Sequence, residues 1–240
     1  MIRDSWATGI AALDPLASGM PRPKGDLACF AVTAPGLEPI CAAELSVLGS
    51  RARIDEGGVS WNGTMDSVAR ANLWLRTASR VLVRVAEFRA TAFFEIERHA
   101  QRIAWRRFVS PGAMVEFRVT CRKSKLYHSD AVAERFARGV ERMVPGARVS
   151  KGGGAAGEEA DSPSDARQLF VVRLFHDVCT VSVDTSGDLL HRRGYRIDVA
   201  KAPLRETLAA AMLLGAGWPG DQPLFDCMCG SGTVPIEAAM

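Results

Sequence analysis

Residues 224–237, Leu-Phe-Asp-Cys-Met-Cys-Gly-Ser-Gly-Thr-Val-Pro-Ile-Glu, constrain the fold more than any other stretch of this chain. Leu224 and Phe225 read as the end of a buried strand, which leaves Asp226 at the strand's carboxyl end. Gly230, Ser231, Gly232 and Thr233 read as a tight turn. Val234 to Met240 then opens a helix with Pro235 in its first turn, where a missing N–H costs no hydrogen bond. Strand, glycine turn and helix start together form the ligand cradle of a doubly wound sheet. The glycines keep Cβ atoms out of a ligand's way, and the first helical N–H groups are free to meet a carboxylate or another anion.

Two common cradles are excluded by spacing. A phosphate-binding P-loop ends in Gly-Lys-Ser/Thr, and no lysine follows Gly232; a dinucleotide fingerprint needs a third glycine, and position 235 is proline. Metal chemistry finds no support either. The six cysteines (29, 41, 121, 179, 227, 229) form no Cys-x-x-Cys pair, Cys227 and Cys229 are too close for a usual zinc half-site, and no histidine stands at ligand spacing. They are expected to be reduced thiols. No apolar run is long enough to span a membrane, and the start, Met-Ile-Arg-Asp-Ser, lacks the layout of a signal peptide. The default expectation is a cytoplasmic protein with no membrane and no metal partner. At 240 residues, 48% hydrophobic and 24% charged, the composition is globular and large enough for two domains.

Upstream of the cradle the chain is expected to organise as follows. Residues 1–26 carry Pro15, Pro21 and Pro23 without a sustained period and read as a flexible leader. Cys29 to Thr33 reads as a strand, Leu37 to Leu48 as a helix closed by Gly49, and Arg51–Ile54 and Val59–Trp61 as strands around the turn Glu56-Gly57-Gly58. Thr64 is expected to cap a helix through Val68, Leu73 and Trp74, followed by a strand from Val81 to Phe88. This β-α-β-β-α-β order is that of a small ferredoxin-like domain, residues 27–89. Trp61 and Trp74 are expected in its core.

A second unit, residues 90–188, starts with helices over Phe93–Ile103 and Trp105–Val109 and an alternating strand over Met114–Cys121. After Arg122-Lys-Ser-Lys-Leu-Tyr-His128, Ser129 is expected to cap a helix over Ala131–Met143. That helix puts Val132, Phe136, Val140 and Met143 on one face and Arg135, Arg138 and Arg142 on another. Residues 151–168 read as a flexible insertion. Leu169–Phe175 and Cys179–Asp184 read as a hairpin turning at His176-Asp177, with His176 a turn residue.

Charge is concentrated in this unit. Residues 89–150 hold 13 Lys/Arg and 6 Asp/Glu, a net +7, against −4 for the remainder of a chain whose net charge is +3. A basic segment in a near-neutral protein points to a polyanion contact or to a solvated charged face. Arg122, Lys123, Lys125, Arg135, Arg138 and Arg142 are the candidate phosphate contacts, with Tyr127 available for stacking or packing.

Four segments together resemble a known family: Lys-Ser-Lys-Leu-Tyr-His-Ser (123–129), Leu-His-Arg-Arg-Gly-Tyr-Arg (190–196), Ala-Pro-Leu-Arg-Glu-Thr-Leu-Ala-Ala-Ala (202–211) and Asp-Cys-Met-Cys-Gly-Ser-Gly-Thr (226–233). The chain is similar to THUMP-domain class I methyltransferases, nearest to the bacterial 23S ribosomal RNA guanine-N2 methyltransferases. The resemblance covers roughly residues 28–240. It implies an α/β architecture in three parts: the ferredoxin-like domain, a THUMP RNA-binding domain, and over 189–240 a linker with the start of a Rossmann-like methyltransferase domain. It further implies S-adenosylmethionine as cofactor, with Asp226, Cys229, Gly230, Ser231, Gly232 and Thr233 lining its site and Arg205, Glu206 and Thr207 beside it. Cys227 stands where the family usually has proline. The family's catalytic Asn/Asp-Pro-Pro-aromatic motif is expected beyond Met240, so no catalytic residue is assigned and the 240 residues are expected to be inactive alone. Structured RNA, ribosomal ahead of transfer RNA, is the implied partner. A transfer RNA guanine-N2 methyltransferase, an adenine-amine methyltransferase and a non-catalytic RNA-binding module are the alternatives.

Overall fold

A computed structural model describes residues 26–150, 167–195 and 204–240 of the chain. The expected leader up to residue 25, residues 151–166 of the expected insertion, and positions 196–203 of the two linker motifs lie outside the described residues. The chain divides into two compact units, one formed by residues 28–81 with 188–240, the other by residues 82–187.

The first unit contains β1 (Leu27–Thr33), α1 (Glu38–Val47), β2 (Arg53–Asp55), β3 (Gly58–Gly63), α2 (Met65–Trp74) and the start of β4 (Ala78–Arg89), in strand order β2-β3-β1-β4. β2 and β3 pair antiparallel, Asp55 opposite Gly58. Glycine is required there: a Cβ on Gly58 would stand 2.1 Å from the Ala31 carbonyl oxygen and 2.7 Å from the Phe30 ring. Thr64 caps α2 as expected, its hydroxyl accepting from the Ser67 amide at 3.4 Å. Trp61 is buried, but Trp74 is 65% exposed, contrary to its expected place in the core. α2 ends at Trp74, so its apolar face is carried by Val68 and Ala71, and the buried Leu75 follows it.

The same unit holds α5 (Glu206–Gly215) and α6 (Thr233–Ala239), which pack on each other. (α3, Phe93–Ala100, and α4, Ser129–Met143, belong to the second unit.) The expected strand at Leu224–Phe225 does not form: these residues are irregular, and Phe225 is 89% exposed. A strand exists only through its hydrogen-bonded neighbours, and among the described residues no strand pairs with this segment.

The second unit contains the rest of β4, then α3 (Phe93–Ala100), a 3-10 turn (Trp105–Arg107), β5 (Met114–Arg122), α4 (Ser129–Met143), β6 (Arg148–Ser150), β7 (Arg167–Phe175) and β8 (Val178–Asp184). The strand order is β4-β8-β7-β5-β6. β7 and β8 form the expected antiparallel hairpin, whereas β5 pairs parallel with both β6 and β7. Trp105 sits at the centre of this core. It is fully buried, its ring meets Phe170, Phe117 and Phe136 edge-on at 5.2, 5.9 and 6.3 Å, and its Nε1 donates to the Ala100 carbonyl at 2.7 Å. Val132, Phe136 and Val140 of α4 are buried as expected. Ser129 is not the cap: it is the first helical residue, and the cap position falls to His128, which makes no side-chain cap bond.

Candidate functional site

The glycine turn is built by two left-handed residues. Gly230 has φ 52° and Gly232 φ 76°, values an L side chain rarely adopts. Gly232 is also the residue from which α6 starts. Asp226 fixes the approach to the turn, its Oδ1 accepting from the Met228 amide at 3.0 Å. Ser231 and Thr233 bring their hydroxyls to 3.4 Å. Cys229, Gly230 and Ser231 are exposed, Asp226 and Gly232 half-buried, and Thr233 buried. A Cβ built on Gly230 would meet nothing nearer than the Met228 carbonyl oxygen at 3.9 Å, and one on Gly232 nothing nearer than Ile236 at 3.8 Å. The glycines are therefore set by backbone angle and leave an open, Cβ-free surface beside a carboxylate. Those features fit a cofactor with a cationic end, such as S-adenosylmethionine.

Arg205 is exposed and precedes α5, its carbonyl accepting from the amides of Leu208 and Ala209. Glu206 and Thr207, in the first turn of α5, are buried. Further along the helix that follows the glycine turn lies a feature that motif reasoning missed. Glu237 of α6 is fully buried, and its carboxylate accepts from Arg76 Nη2 at 3.0 Å, Arg193 Nη1 at 2.5 Å and Tyr195 OH at 2.9 Å. Arg76 also donates to the Glu237 main-chain oxygen, and Arg193 Nη2 donates to the Arg76 carbonyl at 2.7 Å. Burial, the bond to Glu237 and the carboxylates of Glu237 and Glu206 push the Tyr195 phenol above its ordinary range, against the opposing pull of Arg193. Arg193 and Tyr195 lie in the 190–196 motif, which was a signal; Arg76 and Glu237 carried none.

The basic candidates fall into two groups. Arg122, Lys123, Lys125 and Tyr127 are all exposed, Tyr127 by 71%. Their loop is anchored from beneath by the β7–β8 turn. Asp177 accepts from the Lys125 amide at 2.8 Å, its own amide donates to Ser124 Oγ at 3.0 Å, and its carbonyl accepts from Ala90 at 2.9 Å. His176 and Asp177 hold positive φ at 50° and 62°, and Lys123 at 48°, so the turn and the loop it supports both store backbone strain. Arg173 and Lys123 lie over the Phe175 ring.

On α4 the three arginines differ. Arg135 is mostly covered: it stacks over Phe93 at 4.4 Å and reaches Glu97 and Glu134 at 3.6 and 3.5 Å. Arg138 is exposed, with looser contacts to the same two carboxylates, and Arg142 is exposed. The structure thus assigns Arg135 a packing role and leaves Arg138 and Arg142 on the surface. No group of three metal-ligating side chains occurs among the described residues, and none of the described helices is long and apolar enough to cross a membrane.

Two segments of the chain are similar to known families. Residues 28–82 match the RlmL ferredoxin-like domain, and residues 193–240 match the RMKL-like methyltransferase domain. Each match covers less than half of the chain, and together they flank the segment 83–192. Among individual proteins, the chain is 37% identical over 211 residues to YpsC of Bacillus subtilis, covering 87% of this chain and 53% of YpsC. It is likewise 37% identical over 225 residues to the ribosomal RNA large subunit methyltransferase K/L of Syntrophotalea carbinolica, covering 88% of this chain and 30% of that protein. Similar solved structures include SMU.472, determined in complex with SAH (29% identity, TM-score 0.75, 91% of this chain and 56% of that one). TrmN from Thermus thermophilus is another (26% identity, TM-score 0.66, 89% and 61%). The chain spans about half the length, or less, of the curated relatives it matches.

Proposed function

We propose that this chain is the RNA-binding part and cofactor-cradle entrance of an S-adenosylmethionine-dependent RNA methyltransferase that modifies the N2 amine of guanine in 23S ribosomal RNA. The observation that carries it is the turn from Asp226 to Thr233: two positive-φ glycines, uncrowded where a Cβ would stand, next to a carboxylate and inside the segment that matches a methyltransferase domain. The bound sulfonium would supply an electrophilic methyl group. The residues of this chain would hold and orient it, Asp226 by its charge and the glycine turn by close backbone approach, so that alignment with the amine lowers the barrier. The SAH-bound relative supports the cofactor, and the K/L relatives support a ribosomal substrate. Residues 90–188 act as a THUMP domain, with Arg122, Lys123, Lys125, Arg138 and Arg142 meeting phosphates and Tyr127 meeting a base. Transfer RNA is the second reading, favoured by the likeness to TrmN.

The test is transfer of a labelled methyl group by the protein that carries this chain, offered large-subunit ribosomal RNA and transfer RNA separately, followed by nucleoside analysis. Label in N2-methylguanosine of ribosomal RNA supports the proposal. Label in transfer RNA alone reassigns the substrate, and label in neither RNA overturns the activity.

A further inference from the structure

We propose that Glu237 is a positioning residue for the cofactor cradle: clamped by Arg76, Arg193 and Tyr195, it locks α6 in place and thereby holds the Gly230–Gly232 turn in one orientation. The proposal builds on the cofactor assignment above and concerns what keeps that site in shape.

The geometry is specific in three respects. The carboxylate is completely buried, where an ion is tolerated only when paired and fully hydrogen-bonded. It receives three donors from two separate stretches of chain: Arg76 follows α2 of the ferredoxin-like domain, while Arg193 and Tyr195 belong to the segment leading towards α5. Arg193 closes the ring by donating to the Arg76 carbonyl, and Arg76 reaches the Glu237 main chain, so side chain and backbone of α6 are held together. α6 is only seven residues long and starts directly from Gly232. A helix that short has little stability of its own, and the turn before it, on its open side, touches little. Its orientation is therefore set by its packing on α5 and by the clamp on Glu237. Glu237 lies five residues, about one and a half turns, along the helix from Gly232 and is buried, which makes the clamp the inner anchor of a turn whose outer face is free for a ligand.

The cradle is thus tied to the ferredoxin-like domain and not only to the methyltransferase segment. An arginine 161 positions away in sequence sets the site, so the two domains must fold together for the turn to have its shape.

Hydrogen exchange on this chain tests the clamp without any cofactor. Glu237→Gln keeps the side-chain volume, removes the charge and turns a donor toward the arginines. Loss of a charged hydrogen bond corresponds to about 10- to 100-fold in an opening equilibrium, so amides of residues 228–239 should exchange faster by that factor while those of β1 and α1 stay protected. Tyr195→Phe removes one neutral donor and should give a smaller, local effect, which keeps the test valid if the Gln variant unfolds. In the protein that carries this chain, calorimetric titration should show weaker S-adenosylhomocysteine binding by Glu237→Gln at unchanged RNA affinity. Unchanged exchange at 228–239 in both variants, equal deprotection throughout residues 28–81, or wild-type cofactor affinity in Glu237→Gln would each overturn the proposal. A wild-type protein that binds no S-adenosylhomocysteine would overturn the cofactor assignment instead, and the exchange data would still decide the clamp.

Discussion

The strand-end loop of the second unit offers the most quantitative test of RNA binding. Arg122, Lys123 and Lys125 are exposed, and the backbone of their loop is fixed by Asp177 and Ser124 rather than by their own side chains. The triple change Arg122→Gln, Lys123→Gln, Lys125→Gln should therefore remove charge and leave the loop in place. Each phosphate contact contributes about 0.7–0.9 to the slope of log affinity against log salt. Loss of three such contacts should flatten that slope by roughly 2–3. Over a fourfold rise in salt the wild type should lose roughly 20- to 40-fold more affinity than the variant. Arg135→Gln is the internal control. Its guanidinium is already held by Phe93, Glu97 and Glu134 and its side chain is only 21% exposed, so it should leave the slope nearly unchanged while lowering stability. Fluorescence anisotropy of a labelled structured RNA at several salt concentrations measures both. An identical slope for the triple variant and the wild type would refute phosphate contact by this loop, and a flattened slope for Arg135→Gln would refute its packing role.

Other outcomes follow from the same geometry. Asp226→Ala should weaken S-adenosylmethionine binding by the protein that carries this chain about 10- to 100-fold, as expected for a charged hydrogen bond; wild-type affinity in calorimetry would make the turn purely structural. Trp105→Ala should cost about 3–5 kcal/mol, because it empties the centre of an aromatic cluster and leaves the Ala100 carbonyl without its donor; thermal melting is the check, and a change below about 1 kcal/mol would contradict the packing described. Alkaline stability should fall. Burial raises the thiols of Cys29, Cys41 and Cys179 from 9.0 to about 12. Because these folded-state values are raised, the stability they contribute is complete below about pH 9 and is lost as pH climbs towards 12; urea midpoints measured across that window should decline. Tyr195 and Tyr127 are the only tyrosines, so in Tyr127→Phe the tyrosinate absorbance follows Tyr195 alone, and adding Glu237→Gln should move its ionisation to lower pH.

What was legible in the sequence was mostly local. The order β1-α1-β2-β3-α2-β4 follows from hydrophobic period and from turn residues whose effect is immediate, such as Gly49, Gly57 and the Thr64 cap. The β7–β8 hairpin and the buried stripe of α4 were legible for the same reason. The positive φ of Gly230 and Gly232 agrees with a tight turn written in a glycine pair. Other features depended on distant partners. Leu224 and Phe225 have the apolar pattern of a strand, but a strand forms only beside a neighbour, and the described residues supply none. Arg135 shares its helical spacing with Arg138 and Arg142, yet packing against Phe93 and Glu97 of α3 covers most of it. The parallel pairing of β5 with β6 and β7 leaves no mark in any one strand's composition. Glu237 is the sharpest case: in sequence it is one acidic residue in a short helix, where a solvated side chain is the ordinary expectation. Only the fold brings Arg76, Arg193 and Tyr195 to it, because a buried charge is stable solely where partners from elsewhere in the chain converge on it.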